Sequence, residues 1–67
     1  MIDIKLKETR QNKGFSQNQL ADMIGHTSHS VKRIENGRFK SIPVDTLDKL
    51  CKALECSVGD ILVYTPD

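Results

Sequence analysis

Residues 16–37 read SQNQLADMIGHTSHSVKRIENG and contain the strongest local structure signals of the chain. Ser16 followed by Gln19 is a capping-box pattern, which starts a helix. Gly25 readily adopts the left-handed conformation that a tight turn between helices requires. Thr27 is a good N-cap for the next helix. The stretch therefore predicts a helix-turn-helix, two short helices joined by a tight turn.

Apolar residues at helical spacing support both predicted helices. The first has an apolar face of four residues, Leu20, Ala21, Met23 and Ile24. The second has only Val31 and Ile34, which are three positions apart and form one narrow stripe. Most of the second helix is therefore expected to face solvent.

The flanking segments predict further short elements. The first segment is predicted to be a helix that ends at Gly14 and has Leu6 as its main apolar anchor. Before it, Ile2 and Ile4 alternate as in a strand, and we expect them to pair with residues 63–64. A helix is expected after Pro43, on the spacing of Val44, Leu47, Leu50, Cys51 and Leu54. A last short helix is expected to be capped by Ser57 and to run through Ile61 and Leu62.

These elements predict an all-α fold with one domain over residues 1–67. The domain is a compact bundle of four to five short helices containing the helix-turn-helix, with a small terminal two-stranded β piece. A chain of 67 residues has no room for a large cleft or a dinucleotide-binding fold, so an enzyme is not expected.

Neither a membrane segment nor a leader is expected in this chain. No apolar run approaches the roughly 18 residues of a membrane span. The start, Met1-Ile2-Asp3-Ile4-Lys5, lacks the basic-then-apolar layout of a signal peptide. We therefore expect a cytoplasmic protein.

The cysteine and histidine residues are not expected to bind a metal. Cys51 and Cys56 are predicted to lie within one helix, about 8 Å apart and too far for a disulfide. His26 and His29 precede the cysteines, and neither the order nor the spacing suits a zinc site. The prediction is two reduced thiols, no metal and no cofactor.

The whole chain resembles the helix-turn-helix domains of the phage Cro and repressor type, the xenobiotic-response-element family. The resemblance is carried by Ser16-Gln17, Leu20-Ala21, Gly25, Thr27, Val31, Arg33-Ile34-Glu35-Asn36-Gly37, Leu47, Leu50 and Ala53-Leu54. The tail from Val44 to Tyr64 is similar to a compact subgroup in which the domain is nearly the whole protein. The resemblance implies DNA binding, in a bacterium or a phage.

The resemblance also implies roles for individual residues. Five match the outward face of the helix that reads bases: Thr27, Ser28, His29, Lys32 and Arg33. Four match phosphate contacts: Gln17, Asn36, Arg38 and Lys40. Arg10 and Glu35 match a structural ion pair between the first and third helices. Two positions depart from the pattern, since His26 stands where an apolar residue is usual and Thr9 where Leu is usual.

The side-chain chemistry agrees with these roles. Arg33 can form a bidentate contact with guanine O6 and N7, and Lys32 can reach the same edge. Lys32 and Arg33 could instead belong to a solvated helix face. Ser16 and Ser57 are interpreted as caps only.

The near-neutral total charge hides a polar distribution. The 67 residues hold 10 Lys plus Arg and 9 Asp plus Glu, a formal net charge of +1. Residues 26–42 have four basic residues against Glu35 alone, whereas residues 43–67 have two basic residues against five acidic ones. The basic part coincides with the predicted reading helix, so the distribution favours DNA although the sum does not.

Two function classes follow from the sequence. The first is a transcriptional regulator, a repressor that binds a palindromic operator as a homodimer. The alternative is a protein-interaction module of the antitoxin type using the same fold. Residues 58–64 and the Ile2/Ile4 edge are candidate dimer surfaces, because they are apolar and are expected to lie away from the reading helix.

Overall fold

The computed structural model describes residues 1–66, and Asp67, the last residue of the predicted domain, lies outside them. The order of elements is β1, α1, α2, α3, α4, α5, β2. Their bounds are β1 Ile2–Ile4, α1 Leu6–Asn12, α2 Gln17–Ile24, α3 Ser28–Glu35, α4 Val44–Leu54, α5 Val58–Ile61 and β2 Leu62–Tyr64. The all-α prediction with a small β piece is confirmed.

The helix-turn-helix consists of α2 and α3, with the predicted local signals at its ends. Ser16 Oγ accepts from the amide of Gln19 at 3.1 Å, while Gln19 Oε1 accepts from the amide of Ser16 at 2.8 Å. Gly25 has φ +72°, the left-handed conformation that ends α2. Thr27 Oγ1 accepts from the amide of Ser30 at 3.1 Å and caps α3. These contacts are local, which explains why the sequence predicts them.

The core lies where α2 meets α3 and α4, with α1 and α5 beside it. Among residues 1–66, the buried apolar residues of the core are Leu6, Leu20, Ala21, Ile24, Val31, Ile34, Leu50, Leu54 and Ile61. Phe15, Phe39 and Ile42 are partly buried against it. Both apolar residues of α3 belong to this core, so its remaining surface is left for other contacts.

The two strands pair antiparallel at the chain ends. Ile2 pairs with Tyr64, Asp3 with Val63 and Ile4 with Leu62. The predicted pairing is confirmed, but the last helix ends at Ile61, so the prediction that it includes Leu62 is wrong. The side chain of Ile4 approaches the turn after α3, since its Cγ1 lies 4.0 Å from where a Cβ at Gly37 would be. The sequence predicts that the Ile2/Ile4 edge lies away from α3, but Ile4 of β1 is close to the end of that helix.

Two residues assigned to apolar helix faces are exposed. Met23 in α2 is 48% exposed and Val44 at the start of α4 is 81% exposed. The buried stripe of α4 consists of Thr46, Leu50 and Leu54, at intervals of four, and it is rotated from the predicted one. Val44 is the first residue of α4, which has no side-chain capping hydrogen bond at this end.

The prediction that both cysteines lie within one helix is wrong. α4 ends at Leu54, and Glu55 reverses the chain with φ +51° and ψ +51°. Cys51 is therefore inside α4 and Cys56 beyond its end. Both are free and half-buried. The distance expected from a continuous helix does not apply to this pair.

Candidate nucleic-acid interface

A buried polar network fixes α3 against the helices before it. Arg10 Nε donates to Glu35 Oε2 at 2.6 Å, and Gln17 Nε2 donates to Glu35 Oε1 at 2.8 Å. Arg10 Nη1 donates to the carbonyl of Phe15 at 2.9 Å. The side chains of Arg10 and Glu35 are 9% and 2% exposed. Arg10 and Glu35 thus form an ion pair that joins α1, the start of α2 and the end of α3, and so sets the orientation of α3.

Packing then determines which face of α3 reaches solvent. Val31 and Ile34 are buried against the core. His29, Lys32 and Arg33 are exposed on the other side of the helix. Because Val31 and Ile34 are fixed by the core, the outward position of the three polar residues follows from helical periodicity.

The outward residues of α3 share an open concavity with residues that follow the helix. A hollow of about 300 Å³ is lined by His29, Lys32, Arg33, Asn36 and Arg38. The structure therefore brings together three residues that the sequence predicted for base reading and two that it predicted for phosphate contact.

A second hollow joins Arg33 to the loop after α3. It has a volume of about 450 Å³, and its lining includes Arg33, Lys40, Ser30 and Ser41. Arg33 lines both hollows and therefore connects them. Four residues together form the basic surface: Lys32, Arg33, Arg38 and Lys40. Ser30 was not singled out in the sequence, although its position three residues before Arg33 puts the two on one helix face. Ser41 carries no local signal other than its neighbour Lys40.

Thr27 and Ser28 lie at the N-terminus of α3, where they also have structural tasks. Thr27 is exposed, but its hydroxyl oxygen accepts the capping hydrogen bond from Ser30. Its O–H and its methyl group are not used by the cap. Ser28 is half-buried as the first residue of the helix. Both residues adjoin the outward face of α3, and the capping hydrogen bond of Thr27 gives it a structural role in addition to the base contact predicted from the sequence.

Gln17 lies at the N-terminus of α2, as the sequence predicted, but its side chain is engaged. The amide nitrogen that donates to Glu35 has a second N–H, and the main-chain N–H at this helix end is also a donor. Since Glu35 contacts the amide, the position of the Gln17 side chain is fixed by the buried network. A phosphate at this point would meet a preoriented donor.

Both departures from the family pattern have a local explanation. Thr9 Oγ1 lies 2.9 Å from the carbonyl oxygens of Lys5 and Asp60, so it connects α1 to α5 through a polar contact. His26 is half-buried, with its Nδ1 3.3 Å from Ser30 Oγ. Each polar substitute thus has a partner where it replaces an apolar side chain.

The basic groups of this surface have no counter-charge among residues 1–66. Within residues 1–66, the side chains of Lys32, Arg33, Arg38 and Lys40 form no ion pair or hydrogen bond. Lys32 and Arg33 lie in the last turn of α3, where positive charge is favourable beside the helix C-terminus. This interaction with the helix end stabilises the folded protein by roughly 0.3–1 kcal/mol. It does not explain why Arg38 and Lys40, which lie beyond the helix, cluster with these two residues.

Residues 1–66 contain neither a metal-binding cluster nor a membrane-spanning helix. In the part of the chain that the structure describes, no group of three or more His, Cys, Asp or Glu residues could hold a metal ion. Among the helices described, none is both long and apolar enough to span a membrane.

The fold and this basic surface define a DNA-binding helix-turn-helix protein. The model of the Cro/C1-type HTH DNA-binding domain family matches residues 5–67, and the chain belongs to this family. It is 38% identical over 66 residues to the uncharacterized HTH-type transcriptional regulator YozG of Bacillus subtilis strain 168, covering 98% of this chain and 74% of that protein.

Solved structures show the same fold. The regulator of clp genes ClgR from Corynebacterium glutamicum matches with a TM-score of 0.76 and 30% identity, over 84% of this chain. This chain spans 58% of that ClgR chain. The biofilm regulator SinR, solved in complex with DNA, matches with a TM-score of 0.73 and 28% identity, over 79% of this chain and 84% of SinR. The chain is thus a DNA-binding HTH transcriptional regulator.

Proposed function

We propose that this protein is a repressor that binds a specific palindromic operator as a homodimer. The observation that carries the proposal is the outward face of α3. His29, Lys32 and Arg33 adjoin Asn36 and Arg38 in one concavity, and the basic groups have no internal counter-charge among residues 1–66. Such unpaired donors on one helix face are suited to base edges and phosphates.

Within this proposal α3 enters the major groove. Arg33 contacts guanine in bidentate fashion, and Lys32 reaches an adjacent base edge. His29, Ser28 and Thr27 complete the reading surface. A bidentate pair of this kind discriminates against the wrong base by about 1–3 kcal/mol.

Phosphate contacts hold the helix in register. Arg38 and Lys40 lie on the loop after α3, and Asn36 is its C-cap. Gln17 contributes from the start of α2 through the donors that Glu35 leaves free. Contacts of this type give affinity and orientation without reading sequence.

Pairing of two copies is supported by exposed apolar residues near the chain ends. Ile2 is 56%, Val58 47% and Tyr64 66% exposed, and all three belong to the two candidate dimer surfaces. Ile4 is half-buried and contributes less. We propose one domain over residues 1–67 acting without a catalytic step or a cofactor, in the cytoplasm of a bacterium or in a host of its phage.

Selection from random duplex DNA with the purified protein tests the proposal. The expected product is an inverted repeat with half-site centres about 10 base pairs apart, one turn of DNA. The matched control is the double variant Lys32→Ala/Arg33→Ala, which should enrich no common sequence. Enrichment of a single unrepeated site would refute the two-fold arrangement. Failure to enrich any site would refute sequence-specific binding.

A further inference from the structure

The turn between α4 and α5 brings the two cysteines together. The amide of Cys56 donates to the carbonyl of Cys51 at 3.0 Å, and the amide of Glu55 donates to the carbonyl of Lys52 at 3.4 Å. These two hydrogen bonds around a left-handed Glu55 form a Schellman motif, in which the side chains at the positions of Cys51 and Cys56 are frequently in contact.

The backbone hydrogen bond limits the separation of the two residues. With standard bond lengths, a 3.0 Å N···O distance holds the two Cα atoms within about 7 Å even if every segment were collinear. They are not collinear, so the separation is shorter. Disulfides span Cα distances of roughly 4.4–6.8 Å. The pair therefore meets the distance requirement that a continuous helix would have violated.

Both thiols also face the same space. Cys51 and Cys56 line one surface cavity of about 330 Å³, together with Val44, Leu47 and Val58. Val44 and Val58 are 81% and 47% exposed, so the cavity opens to solvent between them. A small reagent can reach the sulfur atoms without unfolding the core.

We propose that Cys51 and Cys56 form a thiol-disulfide exchange site, where a low-molecular-weight disulfide such as oxidised glutathione closes a bond between them. One cysteine thiolate attacks the reagent and expels one thiolate, which leaves a mixed disulfide. The second cysteine then loses its proton and attacks the protein sulfur of that mixed disulfide, which expels the second thiolate. The two cysteines are oxidised, and the reagent is reduced to two thiols that take up the two protons.

The surroundings of Cys56 set the conditions under which the site reacts. Burial raises the pKa of the Cys56 thiol, and so do the neighbouring Cys51 and Asp60, whereas Lys13 opposes them. Because the thiolate is the reactive form, a raised pKa slows exchange at neutral pH and favours it in alkaline solution. Closure is therefore expected to be faster at about pH 8.5, near the ordinary pKa of a thiol, than at neutral pH.

Intact-mass spectrometry of the full chain after incubation with oxidised glutathione tests the proposal. The expected product has lost the mass of two hydrogen atoms and no longer reacts with an alkylating reagent under denaturing conditions. The mixed disulfide is expected to be about ten-fold less abundant, since the second thiol is already adjacent. Cys51→Ala and Cys56→Ala should each instead gain one glutathionyl group.

A variant with a displaced thiol provides the matched control. Cys51→Ser/Lys52→Cys retains two thiols but moves one of them about 100° around α4. It should accumulate the mixed disulfide rather than the closed form. The proposal is overturned if the unmodified protein accumulates only mixed disulfides or intermolecular dimers. It is equally overturned if the displaced variant closes as readily. No DNA is present, so the result is independent of the proposed function.

Discussion

The two sides of α3 have charged residues in opposite circumstances. Glu35, on the inner side, accepts hydrogen bonds from Arg10 and Gln17 and has a side chain 2% exposed. Arg33, two positions earlier, is exposed and lines both basic hollows. The charge of a side chain therefore does not by itself reveal its role. Groups whose hydrogen bonds are satisfied inside position the helix, and groups left unpaired are available to a ligand.

The largest effect on the free energy of unfolding is expected from the buried interactions on the inner side of α3. Replacing Arg10 with Ala leaves the Glu35 carboxylate buried without its charge partner, and we expect the free energy of unfolding to fall by about 3–5 kcal/mol. For a chain of this size that loss is comparable to the whole stability. Chemical denaturation followed by circular dichroism measures it.

The control for this prediction is the exposed pair of Lys5 and Glu8, which lie 3.7 Å apart. Lys5→Ala should change the unfolding free energy by no more than about 1 kcal/mol, because exposed pairs contribute little. Equal losses for Arg10→Ala and Lys5→Ala would contradict the special contribution of the buried Arg10–Glu35 pair to stability.

The outer side should dominate recognition instead. Arg33→Ala is expected to weaken operator binding by about 1–3 kcal/mol and to weaken binding to random duplex DNA less. Its unfolding free energy should stay within about 0.5 kcal/mol of the original, as for other exposed positions. Fluorescence anisotropy with both DNAs measures the difference. Lys49→Ala, an exposed change on α4, is the control that should affect neither, and equal losses on both DNAs would refute base reading by Arg33.

Thr27 caps α3 and is also proposed to contact DNA, and two variants separate these two roles. Thr27→Ala should lower the unfolding free energy by about 1 kcal/mol, because the cap on the amide of Ser30 is lost. Thr27→Ser keeps the capping oxygen and removes only the methyl group, so it should stay close to the original in stability. A loss of operator affinity in Thr27→Ser would then report a DNA contact. Equal destabilisation by both variants would contradict the capping role.

Features set by neighbouring residues could be predicted from the sequence. The capping box of Ser16 and Gln19, the turn at Gly25 and the cap at Thr27 each involve residues no more than three apart. The burial of Val31 and Ile34 follows from their spacing. The outward face of α3 is therefore predictable from the sequence alone.

Features that depend on residues far apart in the chain, or on residues without a local sequence signal, could not be predicted from the sequence. The contact between Gln17 and Glu35 joins positions 18 apart, and no local pattern indicates it. Glu55 adopts a left-handed conformation although it is neither Gly nor Asn, so the sequence has no usual signal for the end of α4. For this reason the distance predicted between Cys51 and Cys56, which assumed a continuous helix, was wrong. Met23 and Val44 fit an apolar spacing, but spacing alone does not show how a helix is rotated against its neighbours.

The most direct test of the outer side as a DNA surface is the salt dependence of duplex binding by the original protein and by Lys40→Ala. Each phosphate contact should contribute about −0.9 to the slope of log Kobs against log salt concentration. A steep slope is expected for the original, with a magnitude lower by about 0.9 in Lys40→Ala and equal losses on operator and random DNA. A flat response of the original protein would contradict the assignment of this face to DNA.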